Sequence, residues 1–369
     1  MDFSLPAGAF AKAVETVKGC IPTRTTIPIL SHVLITGRAG AIDVRGTNLE
    51  MEAIATSGAD VADDGEIAIP GEILAGIVKR MPKSELVTVK QIDDRADVRC
   101  GTMRYSLRLL PNEDFPRTRD AQDDGVTFTI ACTELRGLLE ATRYALLNSE
   151  DRPYLQGVFL HVADGQLAAA ASDGHRLARR LCALPGGAAD MPGVIVPGNA
   201  VREIVAMLEE GDATVTVGES LIRISVPDLT FSSSLIGSTF PPYDRLISFE
   251  RQPEITVHPR VMIEAIERAL VLYQGTDIKM PAAIFRAADG KLNMDAGAAR
   301  FDTGSEEIEA TIHASDARFR CNVKYLAEML KVWPADVDLD IQTNNDGPIL
   351  FTAGDAPDMT HIIMPQHKG

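Results

Sequence analysis

The residues with the greatest chemical potential lie together in the segment Ser172-Asp173-Gly174-His175-Arg176. They place a hydroxyl, a carboxylate, an imidazole and a guanidinium within five residues. A nucleophilic triad, however, needs its serine, histidine and acid to converge from separate elements, whereas neighbours in one strand and turn point in different directions. The sequence around Ser172 also lacks the G-x-S-x-G elbow of hydrolases. Two interpretations remain: a structural turn, which the Asp-Gly pair favours, and a binding surface.

The rest of the sequence carries no other motif of catalysis or metal binding. H-E-x-x-H, the Walker lysine loop and G-x-G-x-x-G are all absent. The seven histidines show no metal-ligand spacing, and the five cysteines are scattered: Cys20, Cys100, Cys132, Cys182 and Cys321. An odd number of cysteines without a C-x-x-C pair predicts reduced, buried thiols. We therefore expect no enzyme activity, no metal and no cofactor.

Length and composition predict an ordinary soluble protein with several domains. The 369 residues correspond to about two to four domains. The contents of 45% hydrophobic and 24% charged residues are usual for globular proteins. No run of about 18 apolar residues occurs, and the start of the sequence lacks the basic and apolar regions of a signal peptide. These features favour a cytoplasmic location.

The sequence repeats itself three times. Leu5, Ile130 and Val257 each end or centre a short strand before a helix, and they are separated by steps of 125 and 127 residues. A second anchor, the segment 69–74, resembles 196–201 and, more weakly, 321–326. Each copy is too long for a solenoid unit, so each copy is a domain. Polar, acidic segments at 119–125 and 249–254 support domains at 1–124, 125–252 and 253–369.

Each domain is predicted to be α+β, with two helices packed on antiparallel sheet. Apolar residues recur every three or four positions in the helices, as Phe10, Val14 and Val17 illustrate. The six predicted helices span 6–20, 70–83, 133–148, 197–211, 259–274 and 322–333. Strands alternate, as at 86–89, 214–217 and 338–341. The segments 163–165 and 288–290 contain Asp-Gly pairs typical of hairpin turns.

Charge is distributed unevenly between the helices and the rest of the chain. The formal net charge is −16, which argues against binding nucleic acid over the whole surface. The six predicted helices nevertheless contain twelve Lys/Arg and ten Asp/Glu, so the remainder carries −18. One interpretation is a set of solvated helix faces. The other is a helical surface that faces a polyanion, although Glu203, Glu209 and Glu210 outweigh Arg202 in the helix 197–211.

The threefold repeat, over the whole chain, resembles the bacterial DNA sliding clamp, the beta subunit of the replicative DNA polymerase. The resemblance depends on seven short motifs in order: Pro28-Ile29-Leu30 after Arg24, Thr47-Asn48-Leu49-Glu50-Met51, Leu110-Pro111-Asn112-Glu113-Asp114-Phe115-Pro116, Arg152-Pro153-Tyr154-Leu155-Gln156-Gly157, Ser172-Asp173-Gly174-His175-Arg176-Leu177, Phe240-Pro241-Pro242-Tyr243 and Met364-Pro365. The resemblance implies the ring-forming clamp fold. Two chains would join head to tail around duplex DNA, without reading its sequence, and would tether polymerase without catalysing a reaction.

The resemblance also implies three sets of site residues. DNA would contact Arg24, Arg152 and Tyr154, together with the helix cations Lys12, Lys79, Arg80 and Lys83. Polymerase alpha subunit, clamp loader and repair polymerases would insert short peptides with a glutamine and bulky apolar residues into a groove. The groove would be formed by Leu155, Ser172, Gly174, His175, Arg176, Leu177, Pro241, Arg245, Leu246, Met280, Asn322, Tyr325, Ile362, Ile363, Met364 and Pro365. His175 and Arg176 would supply its polar rim.

The dimer would form where an edge strand with Tyr105 and Leu107 meets the region of Val271 and Leu272 in the other chain. Without the resemblance, Tyr105 and Leu107 are equally compatible with strand core residues. The ending 366–369 departs from the apolar and basic ending of the family, and Asp346-Gly347-Pro348 is also unusual. An alternative function is therefore a divergent or secondary clamp that acts mainly as a protein-interaction module. Either protein would be cytoplasmic and associated with the nucleoid.

Overall fold

The helices of the chain match the six predicted positions and are shorter at their ends. The structure, a computed structural model, describes residues 1–117, 125–149, 151–248, 252–297, 302–343 and 347–366. Its α-helices are α1 (Ala7–Lys18), α2 (Gly71–Val78), α3 (Cys132–Thr142), α4 (Gly198–Met207), α5 (Asp244–Ile247), α6 (Pro259–Val271) and α7 (Val323–Leu330). The short α5 was not predicted. Short 3-10 helices span Pro28–Ser31, Asn112–Asp114, Arg143–Ala145 and Pro153–Leu155.

The strands occupy most of the remaining sequence. The first nine are β1 (Asp2–Pro6), β2 (His32–Arg38), β3 (Ala41–Thr47), β4 (Met51–Gly58), β5 (Asp60–Asp63), β6 (Gly65–Pro70), β7 (Leu86–Ile92), β8 (Arg95–Cys100) and β9 (Met103–Arg108). The next eight are β10 (Val126–Ala131), β11 (Gly157–Ala163), β12 (Gln166–Ser172), β13 (Arg176–Ala183), β14 (Val194–Pro197), β15 (Asp212–Val217), β16 (Leu221–Val226) and β17 (Leu229–Ser234). The last nine are β18 (Ile255–Val257), β19 (Ala282–Ala288), β20 (Lys291–Gly297), β21 (Thr303–Ile308), β22 (Thr311–Ile312), β23 (Arg318–Asn322), β24 (Leu339–Gln342), β25 (Ile349–Thr352) and β26 (Met359–Ile363).

Local side-chain chemistry explains several helix ends. The Asn322 side chain accepts a hydrogen bond from the Lys324 amide at 2.9 Å and so caps the start of α7. At the C-terminus of α3, the Thr142 hydroxyl donates a hydrogen bond to the Leu138 carbonyl at 2.9 Å. This bond competes with the helical pattern, and the chain tightens into a 3-10 turn after α3. The predicted helix 133–148 is therefore too long at its C-terminus.

The two predicted Asp-Gly hairpins are confirmed. Asp164 and Gly165 have φ of 50° and 73°, and they join the antiparallel strands β11 and β12. Asp289 and Gly290 have φ of 53° and 74°, and they join β19 and β20. Positive φ at both central residues defines the turn whose twist matches a hairpin.

One compact unit comprises Met1–Thr133, Pro185–Met191 and Arg202–Leu235. It contains a five-stranded sheet of order β5-β1-β7-β8-β9 and an eight-stranded sheet of order β10-β15-β16-β17-β4-β3-β2-β6. Helix α1 packs against α2 and against β3 and β4. Its Phe10, Val14 and Val17 are buried, as their spacing predicts.

The second unit comprises Glu134–Leu184, Pro192–Val201 and Ile236–Gly369. It contains a nine-stranded sheet of order β14-β11-β12-β13-β26-β25-β24-β18-β22 and a four-stranded sheet of order β21-β20-β19-β23. Helices α6 and α7 pack together over a core that includes Met262, Ile266, Phe285 and Leu326. All neighbouring strands in both units are antiparallel, so the α+β class is confirmed.

The sheet orders repeat three times, as the sequence predicts. The order β6-β2-β3-β4 recurs as β14-β11-β12-β13 and as β23-β19-β20-β21. The order β1-β7-β8-β9 recurs as β10-β15-β16-β17 and as β18-β24-β25-β26. We call the first pattern, β6-β2-β3-β4 and its two repeats, the inner-strand half-sheet. We call the second pattern, β1-β7-β8-β9 and its two repeats, the outer-strand half-sheet. The domain boundaries at 124 and 252 remain predictions, because residues 119–124 of the first predicted linker and 249–251 of the second lie outside the described residues.

The cysteines are free and mostly buried, in line with the predicted reduced thiols. Burial, together with the nearby carboxylates of Glu203 and Glu52, raises the pKa of Cys20 to about 12. Burial likewise raises the pKa of the half-buried Cys182 to about 11. A thiol with a raised pKa is protonated at neutral pH and reacts slowly.

His361 is a buried ionisable group in β26 and a source of acid sensitivity. Burial, helped by the charge of Arg180, lowers the pKa of His361 from 6.5 to about 3. Below pH 6.5 His361 is therefore protonated in the unfolded chain but stays neutral in the folded chain. The free energy of unfolding consequently decreases as the pH falls from 6.5 towards 3. Between pH 7 and pH 5.5 we expect the free energy of unfolding to fall by about 1 kcal/mol more in the wild type than in His361→Gln.

Urea unfolding at both pH values and at one protein concentration measures this difference. The matched control is His313→Gln, because His313 is exposed. We expect the control to keep the pH dependence of the wild type. A His361→Gln variant with the full acid loss would contradict the assignment.

Candidate functional site

The segment 173–175 forms the turn between β12 and β13, and its polar groups are engaged in holding that turn. The Asp173 carboxylate accepts hydrogen bonds from the amides of His175 at 2.9 Å and Arg176 at 3.0 Å. The Ser172 hydroxyl donates to the Arg176 carbonyl at 2.8 Å and accepts from the Gly174 amide at 3.1 Å. Gly174 has φ of 89°, a conformation that favours glycine. The hydroxyl and the carboxylate are structural here, which agrees with the rejection of a triad.

The same turn occurs at the equivalent position of the first repeat. The Asn48 side chain accepts from the amides of Glu50 at 3.0 Å and Met51 at 2.7 Å. The Thr47 hydroxyl donates to the Met51 carbonyl at 2.8 Å and accepts from the Leu49 amide at 3.1 Å. Leu49 has φ of 79°, in the place of Gly174. The turn is therefore a property of the repeat, and its neighbours must account for any special role in the second copy.

The distinguishing neighbour is the side chain of Arg176, which is only 7% exposed. Its Nε donates to Asp173 at 3.0 Å and its Nη1 donates to Glu328 at 2.5 Å. The guanidinium carbon lies 4.4 Å from the ring centre of Tyr325 and 5.1 Å from that of Tyr144. The expectation that Arg176 forms a polar rim is therefore wrong. Two carboxylates and two aromatic faces hold it in the interior, which compensates for the burial of its charge.

A cleft of about 320 Å³ opens beside this arginine. It is lined by Leu147, Ser149, Asp151, Arg152, Asp173, His175 and Tyr325. The rings of His175 and Tyr325 stack with centres 6.2 Å apart, and Ser149 donates to Asp151 at 3.0 Å. Charged groups of both signs thus surround one aromatic wall, a combination suited to orienting a polar chain.

A buried apolar cluster lies in the same unit and includes part of the predicted groove. It joins Leu155, Leu177 and Ile362 to Phe240, Tyr243, Ala170, Ile195 and Leu350. Strand β13 pairs with β26, with Leu177 opposite Ile362, and the Met364 amide donates to the His175 carbonyl at 2.8 Å. The turn 173–175 and the segment 362–364 are therefore neighbours in one sheet.

The other predicted groove residues differ in accessibility. Pro241, Arg245, Leu246, Met280 and Met364 are exposed, and Pro365 is half-buried. Ile363 belongs to the core, and Asn322 is buried as the cap of α7. The tail residues 367–369 and Asp346 lie outside the described residues.

Sequence reasoning missed several residues of this site. Leu147, Asp151 and Asp173 line the cleft, and Tyr144 and Glu328 fix Arg176. Asp173 had a local signal, because an Asp side chain before a Gly commonly accepts a hydrogen bond from the backbone two residues on and closes a turn. Glu328 is 152 residues from Arg176, so no local pattern announces their contact.

The predicted DNA-contacting cations of the first unit are exposed. Lys12, Arg24, Lys79, Arg80 and Lys83 all lie at the surface. Lys79 forms an ion pair with Glu15 at 3.5 Å, and the Arg80 guanidinium donates to the Gly76 carbonyl at 2.7 Å.

Arg152 and Tyr154, also predicted to contact DNA, lie in the second unit. Arg152 lines the cleft, and its Nη1 is 3.2 Å from where a side chain on Gly174 would begin. Tyr154 is half-buried and packs on the apolar cluster.

The predicted dimer residues lie on or beside strands at sheet edges. Strand β9, with Tyr105 and Leu107, ends the five-stranded sheet, and Tyr105 is 37% exposed. Strand β21 ends the four-stranded sheet and packs against α6, which carries Val271 at its C-terminus. Val271 is 57% exposed, and Leu272 is half-buried.

Within the described ranges, no helix is both long and apolar enough to cross a membrane. In the same ranges, no three His, Cys, Asp or Glu side chains converge in a way that could hold a metal ion.

Known proteins match the chain over its whole length. The family model of the DNA polymerase III beta subunit, N-terminal domain, matches residues 1–119, and that of the central domain matches residues 129–242. The beta sliding clamp of Pseudomonas putida KT2440 is 29% identical over 373 residues, which covers 99% of both chains. The sliding clamp of Bartonella birtlesii, in a crystal structure bound to griselimycin, superposes with a TM-score of 0.93 at 25% identity and full coverage of both chains. The Pseudomonas aeruginosa clamp, also bound to griselimycin, gives 0.90 at 28% identity with the same coverage.

The repeated half-sheets and these matches define a DNA sliding clamp. The chain belongs to the family of the bacterial DNA polymerase III beta subunit. It is a DNA polymerase processivity factor and not an enzyme. The alternative of a clamp that acts mainly as an interaction module is not favoured by these matches.

The glycine of the turn allows a sharp test of the site. Gly174 and Gly165 both have positive φ, so a side chain at either position would be strained. A Cβ at Gly174 would in addition meet Arg152, whereas a Cβ at Gly165 would have nothing within 4 Å. We expect Gly174→Ala and Gly165→Ala each to lower stability by about 1–2 kcal/mol, because both force alanine into the left-handed region. Only Gly174→Ala should change the cleft.

Thermal unfolding measures the shared cost, and crystal structures of both variants measure the position of Arg152. An unmoved Arg152 in Gly174→Ala, with wild-type stability, would show that the turn tolerates a side chain at this point.

Proposed function

We propose that two copies of this chain close head to tail around duplex DNA and tether replicative polymerase through the cleft and the neighbouring apolar cluster. The observation that carries this proposal is the pairing of half-sheets. In the repeat, an inner-strand half-sheet joins the next outer-strand half-sheet through β4–β17 and again through β13–β26. The edge strands β21 and β9 are the third pair of the same kind, and each has only one partner in the described residues.

An exposed strand edge invites pairing with another chain. Pairing β21 of one copy with β9 of a second copy would extend the repeat by the same rule. Because each copy presents one edge of each kind, two copies would satisfy both edges and close a ring. This argument supports a head-to-tail homodimer of six domains.

The repeat also predicts the register of the proposed pairing. Ala55 pairs with Leu229, and Arg180 pairs with Met359. Counting along the ladders, Glu306 has the place of Ala55 and Arg180 in β21, and Met103 has the place of Leu229 and Met359 in β9. Glu306 would therefore face Met103, Ser305 would face Arg104, and Gly304 would face Tyr105 of the other copy.

This register gives the predicted dimer residues a consistent role. A Cβ at Gly304 would lie 3.2 Å from Leu272 Cδ1, so position 304 faces α6. Residues directly opposite in an antiparallel pair share one face. Tyr105 of the second copy would thus extend over Gly304 onto Leu272 and Val271, and Leu107 would follow on the same face. Aromatic anchors of this kind commonly dominate interface energetics.

A cysteine pair tests the register. Opposite residues in antiparallel strands have Cα atoms about 4.5–5.5 Å apart, a distance that a disulfide can bridge. We expect the Arg104→Cys, Ser305→Cys double variant to form a crosslinked dimer under mild oxidation, seen on non-reducing gels. The matched control, Arg104→Cys with Thr303→Cys, is out of register by two residues and should crosslink poorly.

Equal crosslinking of both pairs would contradict the register, and a monomer in sedimentation experiments would contradict the ring. The native thiols Cys20, Cys100, Cys132 and Cys321 are buried and should contribute little background.

The charge distribution supports an encircled rather than a tightly gripped duplex. Exposed cations of the α1 and α2 region offer phosphate contacts, while the chain as a whole carries −16. Strong phosphate binding would resist sliding and make affinity steeply dependent on salt. A topological link needs no such affinity, and phosphate contacts read no sequence.

DNA retention tests the cations without disturbing the cleft. Lys12→Ala with Arg24→Ala removes two exposed charges, and we expect reduced loading on primed circular DNA with an intact dimer. A plot of log binding constant for DNA against log salt concentration should become shallower by about 2, since each lost phosphate contact reduces the slope by about 0.9. Gel filtration of clamp loaded by a bacterial clamp loader measures retention.

The control Arg38→Ala also removes an exposed arginine, in the β2–β3 hairpin, and should load normally. Linearising the circle should release the wild-type clamp. Unchanged retention of the double variant would reject these contacts, and a clamp that stays on linear DNA would reject encirclement.

The cleft and the apolar cluster support binding of short peptides. The cluster offers buried apolar walls, and Arg152, His175 and Tyr325 offer orienting groups. The two relatives crystallised with griselimycin support a ligand-binding surface in this family. We infer that replicative polymerase alpha subunit, clamp loader and repair polymerases bind here, in the bacterial cytoplasm and at the nucleoid.

A further inference from the structure

An ion pair between the buried Arg176 and the exposed Glu328 connects the cleft to a residue outside it. Arg176 is held by Asp173 from its own turn and by Glu328 from α7. Breaking one partner of a buried charge leaves the remaining charge poorly compensated. The position of the Arg176 side chain therefore depends on both carboxylates.

Arg176 in turn supports the aromatic wall of the cleft. Its guanidinium packs on the Tyr325 ring at 4.4 Å, and the His175 ring stacks with Tyr325 at 6.2 Å. Tyr325 and Glu328 lie three residues apart on α7, so they share one helix face. Moving the guanidinium would remove a partner of the Tyr325 ring.

We propose that Glu328 is a positioning residue for peptide binding, acting through Arg176 to hold Tyr325 against the cleft. The proposal rests on the proposed function of the cleft as a peptide site. Glu328 does not line the cleft and is 54% exposed, so it can be replaced without opening a cavity. Asp173 is a poorer test, because its loss would also remove the two amide bonds of the turn.

Peptide affinity tests the proposal. The probe is a fluorescein-labelled pentapeptide that combines one glutamine with leucine and phenylalanine, and the readout is fluorescence anisotropy with the full-length dimer. We expect Glu328→Ala to weaken binding about tenfold, equivalent to about 1.4 kcal/mol. Glu328→Asp should recover part of the loss because it restores the charge.

The matched control is Glu264→Ala. Glu264 is 53% exposed and pairs with Arg260 at 3.2 Å on α6, away from the cleft lining. Its removal should leave affinity within about twofold of the wild type.

A second readout reports the wall itself. The Tyr325 ring changes the NMR chemical shifts of the His175 ring protons, because the two rings stack. These shifts should therefore change in peptide-free Glu328→Ala and remain unchanged in Glu264→Ala. Wild-type affinity with an unmoved His175 signal in Glu328→Ala would overturn the proposal. Equal losses in Glu328→Ala and Glu264→Ala would also overturn it, because they would indicate a general effect of charge. If the wild type itself fails to bind the probe, the proposed peptide function is rejected as well.

Discussion

The structure depends on one main-chain interaction, the antiparallel pairing of an inner-strand half-sheet with the outer-strand half-sheet of the next repeat. It occurs at β4–β17 and at β13–β26, and the same hydrogen bond closes each pair: Ser234 donates to Glu50 and Met364 donates to His175, both at 2.8 Å. The hydrogen bonds of this pairing join main-chain groups, so the same pairing can recur although the repeats differ in sequence. The edge strands that remain are a consequence of a linear chain, since three repeats always leave one strand of each kind.

Because main-chain pairing joins the half-sheets, surface charge is not needed to hold them together. Backbone pairing and apolar cores hold the sheets, which leaves surface charge free to serve other purposes. Acidic groups predominate outside the predicted helices, where they discourage nonspecific contact with polyanions. On the helices the charges nearly balance, and several cations are already paired, as Lys18 with Glu72 at 3.1 Å and Lys79 with Glu15. In the proposed function, such a surface would attract a duplex weakly, which suits a protein that moves along DNA.

The sequence predicted features that depend on local spacing and missed those that depend on distant contacts. Phe10, Val14 and Val17 face the core because helical periodicity is a local property, and the Asp164-Gly165 turn follows from its own backbone preference. Arg176 was predicted at the polar rim and is instead buried, because its partners Tyr144 and Glu328 come from elements that no local pattern connects to it. The sharing of the central repeat between two sheets was likewise invisible, since strand order across repeats is set by pairing rather than by pattern.

The turns at 48–50 and 173–175 show where specialisation arises. Their hydrogen bonds are equivalent, and even Leu49 adopts the left-handed conformation, at a cost of order 1 kcal/mol, because the flanking strands impose it. The frame therefore tolerates a side chain at this position, and Gly174 avoids the strain that Leu49 bears. Arg152 Nη1 lies 3.2 Å from where a Cβ on residue 174 would stand, so the guanidinium would have to shift slightly to admit a side chain there. Gly174 thus relieves the turn and also leaves room for Arg152 beside the cleft. In the proposed peptide site, the neighbours of Ser172 would act together with Arg152, Tyr325 and Glu328 rather than with each other.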